Sequence, residues 1–164
     1  MSKNMNKRVL TYFYIVVGFV LMLTVSGCTD YQAGEDAYNR GDYETAFKKF
    51  LPLAEQGDAR AQVYLGLLYE KGNGVPQNDT EAVKWFRLAA DQKKAHAQSW
   101  LGYMYENGKG VSQDYVLALM WLNLAVAQGD ADSAKRVEKL EKEMTTQQIA
   151  EAQRLTREWK PKEK

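Results

Sequence analysis

The chain has 164 residues, of which 22 are Lys or Arg and 21 are Asp or Glu, for a formal net charge of +1. Such a balance argues against nucleic acid as a partner, because neutralising phosphates needs a stripe of clustered cations. A single cysteine excludes an internal disulfide, and a single histidine leaves a His-based metal cluster or a Ser-His-Asp triad with no second member in reserve.

Residues 1–27 do not read as part of a folded domain. Lys3, Lys7 and Arg8 form a positive stretch, and Val9 to Val25 is uncharged and mostly apolar. That run is short for a spanning helix, which wants roughly 20 apolar residues, and it ends in small residues as a cleavage site does. Val25-Ser26-Gly27-Cys28 resembles a bacterial lipobox. The resemblance implies a signal peptide over 1–27, cleavage before Cys28, lipidation of its sulfur and acylation of the new amine. Thr29 rather than Asp follows, so the inner-membrane retention signal of that lipoprotein class is missing. The expectation is therefore an outer-membrane lipoprotein facing the periplasm, and more than one acyl chain makes such an anchor stable. The competing reading is an ordinary cysteine at the edge of an uncleaved membrane anchor. Cleavage would remove three basic and no acidic residues, leaving 19 and 21, a net charge of −2.

The mature chain reads as helices throughout, with no strand pattern. Residues 28–58 form a short, diverged first repeat: Asp42, Ala46, Phe50 and Ala54 stand in register with Asn78, Ala82, Phe86 and Ala90. With Tyr38 taken as the counterpart of Tyr69, its loop is five residues shorter and closes in a tight Arg40-Gly41-Asp42 turn. Pro52 predicts a kink or an end of the second helix near Phe50.

From residue 59 a single pattern is written twice. Ala61, Leu65, Gly66, Tyr69, Gly72, Gly74, Val75, Ala82, Trp85 and Ala89 recur 36 residues later as Ala97, Leu101, Gly102, Tyr105, Gly108, Gly110, Val111, Ala118, Trp121 and Ala125. A fixed period of that size marks a stacked repeat. Within a unit, Ala61, Leu65, Leu68 and Tyr69 share one helical face, and Ala82, Trp85, Phe86 and Ala89 share another. Between them, Gly72-Asn73-Gly74-Val75-Pro76 breaks the helix, and Asn78 or Asp114 offers the next N-cap. Lys93 stands where Gly57 and Gly129 close their helices, which predicts a different turn at that junction.

The pattern A-x-x-x-L-G-x-x-Y-x-x-G-x-G-V followed by A-x-x-W-[FL]-x-x-A resembles the Sel-one-like repeat (SLR), a relative of the tetratricopeptide repeat. What the resemblance implies is an all-α solenoid of antiparallel helix hairpins that binds other proteins and carries no catalytic residues. The units fall at 59–94 and 95–130. Residues 131–159 read as a polar capping pair, with Val137, Leu140 and Met144 along one helix, a capping box at Thr145 to Gln148, and Ile149, Ala152 and Trp159 along the last. Residues 160–164 are a frayed tail.

No catalytic, metal or cofactor site is expected. Trp85, Trp121, Tyr69 and Tyr105 repeat too strictly on packed faces to be a ligand platform. The Gly-x-Gly loops follow a helix rather than a strand and lack a full phosphate-binding pattern. Glu70 and Glu106 are the remaining conceivable acid pair, and their equivalent repeat positions suggest a solvated polar face. If the stack curves as its relatives do, Arg60, Val63, Leu67 and Glu70, with His96, Ser99, Tyr103 and Glu106, line an inner groove. Asp132, Lys135, Lys139 and Lys142 would continue that line. An apolar patch of Val63, Leu67 and Tyr103 rimmed by charge suits a peptide or helix of a partner. The expected function is an adaptor or scaffold for an envelope protein or peptide. The alternatives are an envelope enzyme or binder of cell-wall or antibiotic fragments, and a homodimer that spaces two membranes or layers.

Overall fold

The computed structural model describes residues 29–161; the leader, Cys28 and residues 162–164 lie outside them. Helix α1 covers 29–39 of the described residues. It is followed by α2 (Tyr43–Glu55), α3 (Ala59–Lys71), α4 (Asp79–Asp91), α5 (Ala95–Asn107), α6 (Tyr115–Val126), α7 (Ala131–Glu141) and α8 (Thr146–Glu158). There is no strand among the described residues. The architecture is the expected all-α solenoid, with each helix packed chiefly on its sequence neighbours and α8 returning onto α6.

The caps follow the sequence. Asp42, Asp58, Asn78, Asp114 and Asp130 each accept a first-turn amide, and Thr145 with Gln148 forms a reciprocal capping box. Hairpin interiors are filled by the repeated apolar positions: Leu65, Leu68, Phe86, Leu101, Met104 and Leu122 are fully buried. Trp121 is 2% exposed, while Trp85, Tyr69 and Tyr105 are partly buried against the same clusters. Helix α6 is apolar on all sides because α5, α7 and α8 all pack on it.

Two local expectations are corrected. Helix α2 does not end at Phe50 but runs through Pro52 to Glu55. Pro52 is exposed and lies in the last turn, so its ring meets solvent and only one helical hydrogen bond is lost. Nor does the junction at Lys93 use a different turn. Lys93 has φ 61°, the left-handed conformation that Gly57 and Gly129 adopt, and the next amide closes the turn alike in all three places. Asp58 N donates to Leu53 O, Lys94 N to Ala89 O and Asp130 N to Ala125 O, at 2.9, 3.2 and 3.2 Å. That shared hydrogen bond fixes the backbone whatever the side chain.

The loops join one unit to the one before. A Cβ on Gly74 would stand 2.6 Å from the Tyr43 carbonyl carbon, and one on Gly110 would stand 2.3 Å from the Asp79 carbonyl oxygen. Each Gly-x-Gly loop therefore lies against the N-terminus of the preceding unit's second helix, closer than any side chain permits. The glycines serve unit-to-unit packing rather than a phosphate.

A buried amide ladder repeats beside them. Gln62 donates to Ala54 O at 3.0 Å and Gln98 to Ala90 O at 3.4 Å, so each adds a second donor to a helix-end carbonyl that already accepts from Gly57 N or Lys93 N. Gln92 and Gln128 in turn donate to those two side chains at 2.9 and 2.6 Å. In the terminal pair the equivalent position is Ala134 and the ladder stops; the neighbouring Ser133 donates instead to Ser99 Oγ at 2.8 Å.

Candidate functional site

The first helices of successive units, α1, α3, α5 and α7, line a groove with two cavities. The first, of about 600 Å³, is walled by Tyr31, Glu35, Tyr38, Arg60, Val63, Tyr64 and Leu67, and closed toward α5 by Lys94, Ala95 and His96. The second, of about 620 Å³, is walled by Glu70, Lys71, Ser99, Trp100, Tyr103, Asp130, Asp132 and Arg136, again with His96. His96 thus stands between the two and belongs to both.

Of the eight expected groove residues, Arg60, Val63 and Leu67 fall in the first cavity, Glu70, Ser99 and Tyr103 in the second, and His96 in both. Glu106 lines neither. One of its carboxylate oxygens is enclosed without a hydrogen bond, 3.9 Å from the Arg136 guanidinium. Nor is Glu70 on a solvated face: it is 9% exposed and its carboxylate accepts from Lys109 Nζ at 2.8 Å. On α7 the line continues through Asp132 and Arg136, while Lys135 is exposed beside Asp132 at 3.2 Å. Lys139 and Lys142 do not reach either cavity.

The first cavity is aromatic. Tyr64 stacks on Phe50 with centroids 4.5 Å apart and planes within 6°, and Tyr38 and Tyr31 meet Tyr64 edge-on at 5.0 and 6.2 Å. The Tyr64 hydroxyl donates to Glu35 Oε1 at 2.9 Å. Burial first, and that carboxylate second, push the Tyr64 phenol well above its ordinary value, so it stays a neutral donor. The Arg60 guanidinium lies 3.9 Å over the Tyr31 ring and is held by Asp58 at 3.0 Å.

The second cavity is built on charge. Lys109 and Arg136 lie 5.1 and 4.7 Å from the Tyr103 ring centroid, with Glu70 and Glu106 as their counter-charges. Donating a hydrogen bond to the Glu70 carboxylate raises the Lys109 ammonium above its usual range. This alternation of acid, cation and ring ties α3, the 108–114 loop, α5 and α7 together. Both carboxylates are committed to cations, so they do not form an acid pair poised over a substrate. Among the described residues no group of three or more His, Cys, Asp or Glu side chains is placed to hold a metal ion.

Tyr31, Glu35, Tyr38 and Tyr64 are wall residues that the repeat pattern did not single out. The first unit is aligned wrongly through Tyr38 and Tyr69. Gly34 meets the Phe50 ring as Gly66 meets the Phe86 ring. With those glycines matched, Tyr31 stands at the place of Val63 and Glu35 at that of Leu67. A close glycine-to-aromatic contact was the available signal, since Gly34 precedes Phe50 much as Gly66 precedes Phe86.

Stacked helix hairpins with a groove along their first helices define an α-solenoid repeat protein. Residues 59–94 and 95–130 both match the model of the Sel1 repeat. Among solved structures, it is similar to c5321, described as a protective antigen present in uropathogenic Escherichia coli strains displaying an SLR fold. The TM-score there is 0.76 at 28% identity, over 79% of this chain and 29% of that one. It is also similar to a Sel1 repeat protein from Oxalobacter formigenes, with TM-score 0.62 and 38% identity, over 68% of this chain and 47% of that one. The chain thus spans less than half the length of either relative. No curated protein matches it.

Proposed function

We propose that this protein is a non-enzymatic scaffold that holds a partner protein in the groove of α1, α3, α5 and α7 at the bacterial cell envelope. Sel1 repeat proteins are generally protein-interaction scaffolds. The observation that carries the reading is the pair of adjoining cavities joined at His96, one tyrosine-lined and the other charged. Together they offer the apolar centre and polar margin that partner segments use. The envelope location rests on the lipobox-like Val25 to Cys28, outside the described residues, through which the chain would be anchored to the outer membrane and face the periplasm. No helix among the described residues is long and apolar enough to cross a membrane.

The test combines the groove and the anchor. Cross-linking and pull-down from intact cells should yield a distinct envelope partner with the wild type. Val63→Asp with Tyr103→Asp should lose it while circular dichroism shows helicity intact, and Cys28→Ser should lose it through release from the membrane. Capture unchanged by the double substitution would remove the groove from the account. Membrane association unchanged by Cys28→Ser would remove the lipid anchor.

A further inference from the structure

We propose that the groove selects an internal, extended segment of a partner protein in which a large apolar side chain and an acidic one lie within about three residues of each other, a specificity that rests on the groove being the binding face. The apolar half follows from the first cavity. Tyr31, Tyr38 and Tyr64 with Val63 and Leu67 present mostly apolar surface. The one carboxylate there, Glu35, already accepts the Tyr64 hydroxyl. A space of about 600 Å³ walled in this way takes an aromatic or long aliphatic side chain.

The acidic half follows from the charge on the wall toward α5. At the equivalent junctions before α3 and α7 a carboxylate stands at the helix start: Asp58 accepts from Arg60 N and Ala61 N, and Asp130 accepts from Ser133 N. Before α5 that place is held by Lys94, whose side chain accepts nothing. Lys94 and His96 are both exposed, and Lys94 makes no ion pair among the described residues. This wall of the apolar cavity therefore carries positive charge where its two sister positions carry negative charge. The complement is a carboxylate brought by the partner.

That carboxylate belongs to a side chain rather than to a chain end. His96 lines both cavities, so the charged wall lies midway along the groove. Beyond it the second cavity continues over Trp100 and Tyr103 toward Asp132 and Arg136 on α7. A segment seated in both cavities passes the wall with chain on either side of it.

The test pans the full chain, purified in mild detergent, against random peptides displayed inside a carrier loop and, separately, with free C-termini. Wild type should enrich a large apolar residue with Asp or Glu within about three positions of it in the internal library. Lys94→Glu should keep the apolar preference and exchange the acidic one for Lys or Arg, because charge at the wall is reversed while the tyrosine, valine and leucine walls of the cavity are unchanged. A labelled peptide of the enriched sequence should bind about tenfold more weakly when its acid is replaced by the amide, and more weakly in high salt. Enrichment without an acidic neighbour, the same sequences with Lys94→Glu, enrichment only from free C-termini, or none at all would each overturn the proposal. These failures are distinguishable from failure of the groove itself. If Val63→Asp with Tyr103→Asp loses the cellular partner while panning shows no acidic preference, only the stated specificity falls.

Discussion

Three backbone positions separate the cost of a conformation from the cost of a contact. Gly41 and Gly110 both have positive φ, 80° and 67°, but a Cβ on Gly41 meets nothing within 4 Å, while one on Gly110 lands on the Asp79 carbonyl oxygen. Gly41→Ala should therefore lose about 1 kcal/mol, the strain of a left-handed residue alone. Gly110→Ala should lose about 2–4 kcal/mol, because the loop must also back away from the preceding unit. Urea unfolding of the two variants gives the difference directly, and equal losses would mean that the loop does not bear on Asp79. Lys93 is the converse, since it already carries the strain at φ 61°. Lys93→Gly should raise stability by up to about 1 kcal/mol, read as a higher urea midpoint at an unchanged slope.

At the level of the helix, stability depends on how its ends are satisfied. Gln98 is fully buried and donates to Ala90 O while accepting from Gln128. Gln98→Leu removes both bonds, but Ala90 O keeps the Lys93 amide at 2.9 Å and the exposed Gln128 keeps Leu124 O at 3.3 Å, so it should cost only about 1 kcal/mol. Asp58 caps α3, and its carboxyl is the balance of opposed effects. Burial raises it, but hydrogen bonds from the Arg60 side chain and from the amides of Ala61 and Arg60 bring it below the ordinary 3.8. A carboxyl lowered by folding stabilises above its unfolded value and loses that contribution as pH falls through the folded one. Wild type should thus exceed Asp58→Ala by about 1 kcal/mol near neutral pH, and the gap should close on acidification below 3.8. A gap constant with pH would mean that the cap does not act through its charge. The helices themselves were legible because ten positions recur at one spacing. The Gln62 and Gln98 ladder was written there too, as a polar residue repeated at a buried phase. Lys93 and Pro52 were not legible from their own side chains. Lys93 is held by the hydrogen bond from Lys94 N to Ala89 O, and Pro52 is tolerated because it faces solvent in a last turn.

For the whole molecule, the groove was half legible. Residues on α3 and α5 follow from helical spacing, whereas α1 needed the contact of Gly34 with Phe50. The phase of α7 is set by Ser133 on Ser99, a contact between units that places Arg136 rather than Lys135 in the cavity. The same dependence on neighbours determines how the stack ends. Each Gly-x-Gly loop covers the N-terminus of the preceding unit's second helix, but no third such loop follows to cover α6. Instead Gln148 of α8 stands beside Tyr115 and Val116, Ala152 is fully buried, and Trp159 meets Trp121 edge-on at 5.9 Å. Helix α8 is thus the substitute for a next unit, polar outside and apolar where it touches α6. Ending the chain after Met144 would uncover Trp121 and the α6 face that packs on α8, so thermal unfolding should lose cooperativity and the protein should self-associate. Ending it after Trp159 removes no packed side chain of α8 and should leave the melting curve as it was. A cooperative monomer after the first truncation would show that α5 and α7 alone close α6, and that α8 is dispensable to the stack.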